Sequence, residues 1–272
     1  LTSFPLIDAS SGTAFYQTWR NCVSLTSFPL LNMSNTTSLS STWRNCNSLT
    51  SFPLIDTSIV KFFNYAWDTN RALTSFPLIN TSIGEEFNNT WYDCIGLTSF
   101  PAINTSSGTS FNQTWRNCTS LTSFPLIDTS SATGLSSAWR SCSSLTSFPA
   151  IDTSNVTLFD YSWNGCSSLI SFPAINTSNA TTFSQTWRFC NALTNFPSNV
   201  FDNCLVTTFT EAFGSTNLTE ASIDGILTSI NSNGTSNGIF GQGGGSAPST
   251  TGEAAITAMR SRGWTITVTG GF

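Results

Sequence analysis

The sequence predicts a repeat solenoid with one short strand and one short helical turn in each 24-residue repeat, closed at its C-terminal end by a different α/β cap. Leucine returns every 24 residues from Leu1 to Leu193, and no insertion interrupts the series. Phe and Pro return in the same register, from Phe4-Pro5 to Phe196-Pro197. Because a unit of this size cannot bury an apolar side alone, such repeats are expected to stack, each touching only its neighbours.

The first part of each repeat, LTSFP, predicts an extended segment because it is short and rich in Thr and Phe. Pro5 and its equivalents limit the hydrogen bonding of this segment, since proline has no backbone N–H. Neighbouring extended segments lie ~4.8 Å apart, so eight repeats predict a rod of roughly 40 Å.

The second part of each repeat predicts a short helical turn. Phe15, Trp19 and Cys22 follow one another at i, i+4 and i+7, which places all three on one face of a helix. The Asx-Thr-Ser step before them offers side-chain oxygens that can cap the turn. The tryptophans at this position form a column, the Trp column: Trp19, Trp43, Trp67, Trp91, Trp115, Trp139, Trp163 and Trp187.

The repeat resembles a known family of surface proteins. Segment 151–172, IDTSNVTLFDYSWNGCSSLISF, is similar to the BspA-like and DUF285 leucine-rich repeats, which have a comparable DTSNVT stretch followed by CSSLTS. The variant with Trp and SFP also resembles repeats of tail-fibre-like proteins of marine phages. The likeness covers residues 1–218 and implies a leucine-rich-repeat fold. Since the related repeats have Met or core Phe where this chain has Trp, it implies that the Trp column is structural core and not a sugar-stacking platform.

The chain divides into three parts. Residues 1–197 hold eight repeats and the start of a ninth, residues 198–218 complete a degenerate ninth repeat whose helical part is expected at 206–213, and residues 219–272 form a cap. The cap is predicted to contain a helix at 219–232, a Gly-rich loop at 241–252, a helix at 253–260 and a strand at 264–268. It covers the last repeat, or it is a module that docks onto another chain.

Seven of the eight cysteines form a second column, the Cys column: Cys22, Cys46, Cys94, Cys118, Cys142, Cys166 and Cys190. Asn70 takes the third place in this column, and a metal or disulfide position would not usually accept Asn. Parallel side chains on neighbouring repeats also have poor geometry for a disulfide. Buried, reduced thiols are therefore predicted, and Cys204 lies outside the column.

Four further columns carry polar side chains. The Asx column (Asp8, Asn32, Asp56, Asn80, Asn104, Asp128, Asp152 and Asn176) favours turn-forming side chains over a calcium site, because half of its members are Asn. The Arg column (Arg20, Arg44, Arg116, Arg140 and Arg188) predicts a solvated edge or, as an alternative, a weak face for anionic ligands. The Thr column (Thr2, Thr26, Thr50, Thr74, Thr98, Thr122 and Thr146) and the adjacent Ser column, which begins with Ser3, Ser27 and Ser51, form the candidate ligand face. This face suits glycans, resembles the Thr rows of ice-binding solenoids, or serves only solubility.

Composition excludes several classes of function. The chain has no His, and its carboxylates are scattered, so neither a catalytic group, a cofactor nor a metal is predicted. A net charge of −5 without a basic run argues against nucleic acid, and no apolar stretch is long enough to insert into a membrane. The start in phase with the repeat suggests further repeats before Leu1.

These observations predict an extracellular recognition or adhesion module that binds a cell-surface glycan or surface protein. A phage fibre or virion-associated receptor-binding protein is favoured, and its cap would contact other virion or envelope proteins. A bacterial cell-surface adhesin, a structural spacer without ligand and an ice-binding solenoid stay open as alternatives.

Overall fold

The structure is a computed structural model that describes residues 2–272, with Leu1 outside the described residues. Its helices and strands are β1 (Thr208–Gly214), α1 (Glu220–Ser232), β2 (Ile239–Gly243), α2 (Thr250–Ser261) and β3 (Thr265–Thr267). All of them follow the eighth repeat. Residues 2–207 instead contain turns, bends and isolated β-bridges between repeats.

Neighbouring repeats are stacked in parallel, as the repeat period predicts. One column of bridges joins Ala14 to Ser38 and continues in steps of 24 residues to Thr182. In the LTSFP segment fewer bonds join the repeats, because most repeats add a single backbone hydrogen bond there, such as Thr26 N–H to the Thr2 carbonyl at 2.9 Å. The last pair of segments adds a second contact, from Phe172 N–H to the Asn195 carbonyl at 3.1 Å. The fixed proline explains this difference, since it leaves the segment one donor short.

The helical turn predicted at Phe15, Trp19 and Cys22 is wrong. Alternate residues of this segment donate their N–H across to the next repeat, as Trp19 does to the Thr42 carbonyl at 2.9 Å. The residues between them close tight turns within the repeat, as Thr18 does to the Phe15 carbonyl at 3.2 Å. The segment is therefore a chain of turns stacked on its neighbours, with none of the i→i−4 bonds of an α-helix.

Two positions of each repeat adopt the left-handed conformation that makes these turns possible. Gln17 and Asn21 have φ of 58° and 64°, and the equivalents recur in every following repeat to Gln185 and Phe189. Most of the column of Asn21 is Asn, Asp or Gly, which tolerate positive φ better than other residues. Gly165 takes this place in the seventh repeat with φ of 77°.

The interior consists of stacked aromatic columns. From Trp43 onward the Trp column is fully buried, and neighbouring indoles stack with centroids 5.4–5.9 Å apart. Each indole also meets a Phe of the next repeat edge to face, as Trp43 meets Phe52 at 4.7 Å. The inward face that the i, i+4 spacing predicts is present, although a different backbone produces it.

The ninth repeat leads into the cap through a strand. The helical part expected at 206–213 is wrong, because these residues belong largely to β1, which pairs in parallel with β2, and β2 pairs with β3. Strand β2 also takes up Gly241–Gly243, which the sequence analysis placed in the Gly-rich loop. The aromatic columns end here, since Phe213 stacks on Trp187 at 5.1 Å and then contacts Phe240.

The two helices of the cap pack against each other, and α2 also contacts β3. Helix α1 begins at the N-cap Thr219 and buries Ile223, Ile226, Leu227 and Ile230, the stripe that shows helical spacing in the sequence. Helix α2 begins at the N-cap Ser249 and covers the residues for which the second helix is predicted. Ile256 and Met259 of α2 are fully buried.

Candidate ligand face of the repeats

The Thr and Ser columns lie on the surface of the stacked LTSFP segments. All members of the candidate face, from Thr2 and Ser3 to Thr146, are exposed. No charged residue occurs in either column. The result is an uncharged strip that runs along the repeats.

The hydroxyls of the Thr column are already engaged. Thr26 Oγ1 donates to the Thr2 carbonyl at 3.0 Å, and the same bond recurs between neighbouring repeats up to Thr146 and Thr122 at 3.2 Å. Each of these hydroxyls has only one proton, so it meets a ligand as an acceptor and not as a donor.

A column of exposed leucines runs beside the hydroxyls, and sequence analysis missed it. Leu6, Leu30, Leu54, Leu78 and Leu126 are 61–75% exposed, and Ala102, Ala150 and Ala174 continue this Leu column. Single exposed leucines are ordinary, whereas a regular row of them on one face marks a contact surface. The Leu column is visible in the sequence as the sixth residue of each repeat. However, this residue lies between Pro and a buried apolar residue, so all three are easily interpreted as one apolar run that faces the core.

The Asx column forms turns. In each of the eight repeats the Asx Oδ1 accepts the N–H of the residue two positions later, for example Ser58 N–H to Asp56 at 2.9 Å. Backbone and side-chain hydrogen bonds from Ser58 hold the pKa of Asp56 below its ordinary value. Each carboxylate thus has a local structural partner, which favours the turn interpretation over calcium. Among residues 2–272 no group of three His, Cys, Asp or Glu side chains is arranged to hold a metal ion.

The thiols of the Cys column are reduced and, except for the half-buried Cys22, buried. From Cys46 onward each thiol contacts the carbonyl of the tryptophan in the preceding repeat, as Cys166 does with Trp139 at 3.2 Å. Burial raises the pKa of the Cys166 thiol to about 12. Asn70 replaces this contact with another, because its Oδ1 accepts the Cys46 N–H at 2.8 Å. Cys204 is also buried and free.

The Arg column lies beside tyrosines and acids on a second surface. Arg44 pairs with the buried Asp68 at 2.8 Å and lies over Tyr65, and Arg188 pairs with Glu211 at 2.8 Å. Arg116 and Arg140 lie over Tyr92 and Tyr161. This surface is therefore more ordered than the solvated edge that the sequence suggests.

A cavity of about 460 Å³ lies between the ninth repeat and α1. Asp202 and Asp224 line it, but Asp202 accepts a hydrogen bond from Ser229, and Asp224 accepts bonds from Ser249. Both carboxylates hold the cap together. No helix among the described residues is long and apolar enough to cross a membrane.

No protein-family model and no curated protein matches the sequence. Among solved structures, the chain is similar to a leucine-rich repeat protein from Bacteroides ovatus. The two chains share 14% identity with a TM-score of 0.31, over 79% of this chain and 73% of that one. A likeness at this level does not transfer a function.

Proposed function

We propose that the chain is a non-enzymatic recognition module, and that the Thr, Ser and Leu columns form its ligand-binding face. The observation that carries the proposal is an exposed, uncharged face on which Thr, Ser and Leu or Ala return in register from repeat to repeat. Repeat proteins use such extended surfaces to bind through many weak contacts. Buried thiols, engaged carboxylates and the absence of His from the sequence give no support to a catalytic role.

The ligand we propose is an extended, uncharged segment of a surface polysaccharide or surface protein. Leucine side chains offer apolar contact, and the Thr and Ser oxygens accept hydrogen bonds from hydroxyl or amide donors. A rod with such a face suits display on a virion fibre, and a bacterial cell-surface adhesin is the alternative setting.

Binding of the whole chain to a glycan array and to intact bacterial cells tests this proposal. The variant Leu54→Glu/Leu78→Glu places two charges on the face at positions that are exposed, so the fold should stay intact. Ser236→Glu adds a charge at an exposed site of the cap and is the control. We expect the face variant to lose binding and the control to keep it, with equal melting temperatures. Binding that survives the two face charges contradicts the proposal, and no binding by the unmodified chain favours a structural spacer.

The spacing of the face supports a second candidate, an ice-binding solenoid. Thr and Leu return at the interval between repeats, so the face is a regular array of methyl groups and hydroxyl oxygens. Thermal hysteresis above that of the Leu54→Glu/Leu78→Glu variant supports this candidate. Hysteresis at the buffer baseline removes it.

A further inference from the structure

Within residues 2–272, Arg20, Arg116 and Arg140 of the Arg column form no ion pair, and the last two lie in adjacent repeats. Arg44, Lys61, Arg71 and Arg188 each pair with a carboxylate. Arg260 and Arg262 of the cap donate to backbone carbonyls. Arg116 and Arg140 make no ion pair within residues 2–272, although the chain carries more acids than bases.

The two arginines occupy the same position of adjacent repeats. The N–H of Asn117, next to Arg116, donates to the Arg140 carbonyl at 2.8 Å, so the two backbones are in direct contact. Stacked strands lie ~4.8 Å apart, so the backbones from which the two side chains extend have about this spacing. Burial lowers the pKa of the Arg140 guanidinium, and the positive charge of Arg116 adds to this effect.

Tyrosines on both sides hold the pair in place. The Arg116 guanidinium lies 5.4 Å from the ring centre of Tyr92, in the repeat before, and Arg140 lies 5.0 Å from that of Tyr161, in the repeat after. Stacking fixes the plane of a guanidinium and leaves its edge free to donate. Arg116 Nη1 donates to Gln113 at 2.8 Å, its buried Nε has no acceptor, and Arg140 has no side-chain hydrogen bond within the described residues.

The other repeats show which partner Arg140 lacks. The repeat after Arg44 supplies Asp68 in the same column, and the repeat after Arg188 supplies Glu211. The repeat after Arg140 supplies Asn164, which is neutral. Arg140 therefore faces a neutral residue where Arg44 faces a carboxylate, and Arg140 and its neighbour Arg116 are half-buried charges with free donors.

We propose that Arg116 and Arg140 together bind one oxyanion, a sulfate or carboxylate group carried by a polysaccharide. Two guanidinium edges suit an oxyanion, since charge-assisted and bidentate hydrogen bonds to such groups are the strong ones. The net charge of −5 disfavours a dense polyanion such as nucleic acid, and Asn117 and Ser141 beside the pair offer groups for sugar hydroxyls. The oxyanion site is independent of the Thr, Ser and Leu face, and only the choice of a polysaccharide as its carrier rests on the proposed function.

Calorimetric titration of the whole chain with sodium sulfate, against sodium chloride at equal ionic strength, tests the site. The variant Arg116→Gln/Arg140→Gln should lose about tenfold or more in affinity for sulfate. The control Arg20→Gln removes an exposed charge from the same column, beside Arg44 whose charge is already paired with Asp68, and should stay within about twofold. Equal affinity in the double variant and the unmodified chain overturns the proposal, as does an absence of saturable sulfate binding.

Three polysaccharides identify the carrier: a sparsely sulfated dextran, a sparsely carboxymethylated dextran and neutral dextran. Tighter binding of one of the first two, lost in Arg116→Gln/Arg140→Gln, shows whether the group is sulfate or carboxylate. Equal binding of all three overturns the polysaccharide as carrier. The face variant Leu54→Glu/Leu78→Glu should titrate with sulfate as the unmodified chain does, so a failure of the proposed ligand face leaves this result unaffected.

Discussion

The repeats and the cap both bury apolar side chains, but they do so with different backbone structures. Residues 2–207 bury stacked columns of Trp, Phe and Leu beneath turns and bridges, whereas residues 208–272 bury their apolar side chains beneath two helices and a three-stranded parallel sheet. In the repeats each side chain packs against copies of itself, and in the cap each has a unique environment. A fixed period therefore determines which side chains lie inside, but it leaves the backbone conformation open.

Alkaline pH should destabilise the repeats much more than the cap, because residues 219–272 contain no Cys. We expect this to be the largest difference between the two regions. Burial raises the pKa of Cys166 to about 12 from an ordinary value of 9.0, so the neutral thiol stabilises the repeats below pH 9. This contribution is lost as the pH rises from 9 towards 12. We expect the repeats to unfold in this window, as followed by the fluorescence of the stacked tryptophans. The variant Cys142→Ala/Cys166→Ala should show a shallower loss of stability with pH, and an equal slope would contradict the assignment.

Truncation of a central tryptophan should cost the repeats more than conversion to another aromatic residue. Trp115→Ala opens a cavity between two stacked indoles and should lower the free energy of unfolding by about 3–5 kcal/mol. Trp115→Phe keeps the stack and gives up no hydrogen bond, because the indole Nε1 is buried without an acceptor, and Phe213 already occupies this position in the ninth repeat. Urea unfolding should show the smaller loss for Phe, and equal losses would mean that ring stacking is not what holds the column.

Glycine should have opposite effects in the two regions. Ser141 has φ of 62°, so Ser141→Gly should raise the free energy of unfolding by roughly 1 kcal/mol, since glycine adopts this conformation without strain. Ala254 is an exposed residue inside α2. The variant Ala254→Gly should lower the free energy of unfolding by about 1 kcal/mol, because glycine is a poor helix former. A loss of stability for both variants in urea unfolding would contradict the left-handed backbone and favour the helical turn that the sequence predicts for the repeats.

The smallest expected effect is the difference in stability cost between removing a buried and an exposed Thr hydroxyl of the repeats. Thr129 Oγ1 is buried and donates to the Asp152 carbonyl at 2.6 Å, whereas the exposed Thr98 Oγ1 donates to the Thr74 carbonyl at 3.2 Å. Thr129→Val should cost about 1 kcal/mol or more, and Thr98→Val less than about 0.5 kcal/mol, because water replaces only the exposed bond. Thermal unfolding measures both, and a larger cost for Thr98→Val would assign the Thr column to stability and not to a ligand.

Sequence patterns predicted side-chain direction better than backbone conformation. The spacing of Phe15, Trp19 and Cys22 fits a helix, but a chain of tight turns brings the same residues inward, so the spacing alone could not distinguish the two. The signal that could have distinguished them is the column of Asn21, whose Asn, Asp and Gly residues favour a left-handed backbone. The same ambiguity misplaced β1, since its residues repeat those of the preceding turns.

The candidate site was predicted in part. The exposed Thr and Ser columns follow from their hydroxyl composition, whereas the hydrogen bonds that occupy the Thr hydroxyls depend on a backbone geometry that no pattern shows. The Leu column was missed because an apolar residue next to Pro is indistinguishable in sequence from a core residue. The pairing of each arginine depends on which side chain the next repeat supplies, and this became visible only with the repeats stacked.

If one ligand lies along successive repeats on the Thr, Ser and Leu face, several neighbouring repeats must each contribute to its affinity. A charge-insertion series, Leu30→Glu, Leu54→Glu, Leu78→Glu and Leu126→Glu, tests it most directly through the dissociation constant of each variant for the best-binding surface ligand. We predict a loss of about tenfold for each of several neighbouring substitutions, since each charge removes the apolar contact of one repeat. An unchanged dissociation constant across the series, or a loss confined to one substitution, would contradict the account.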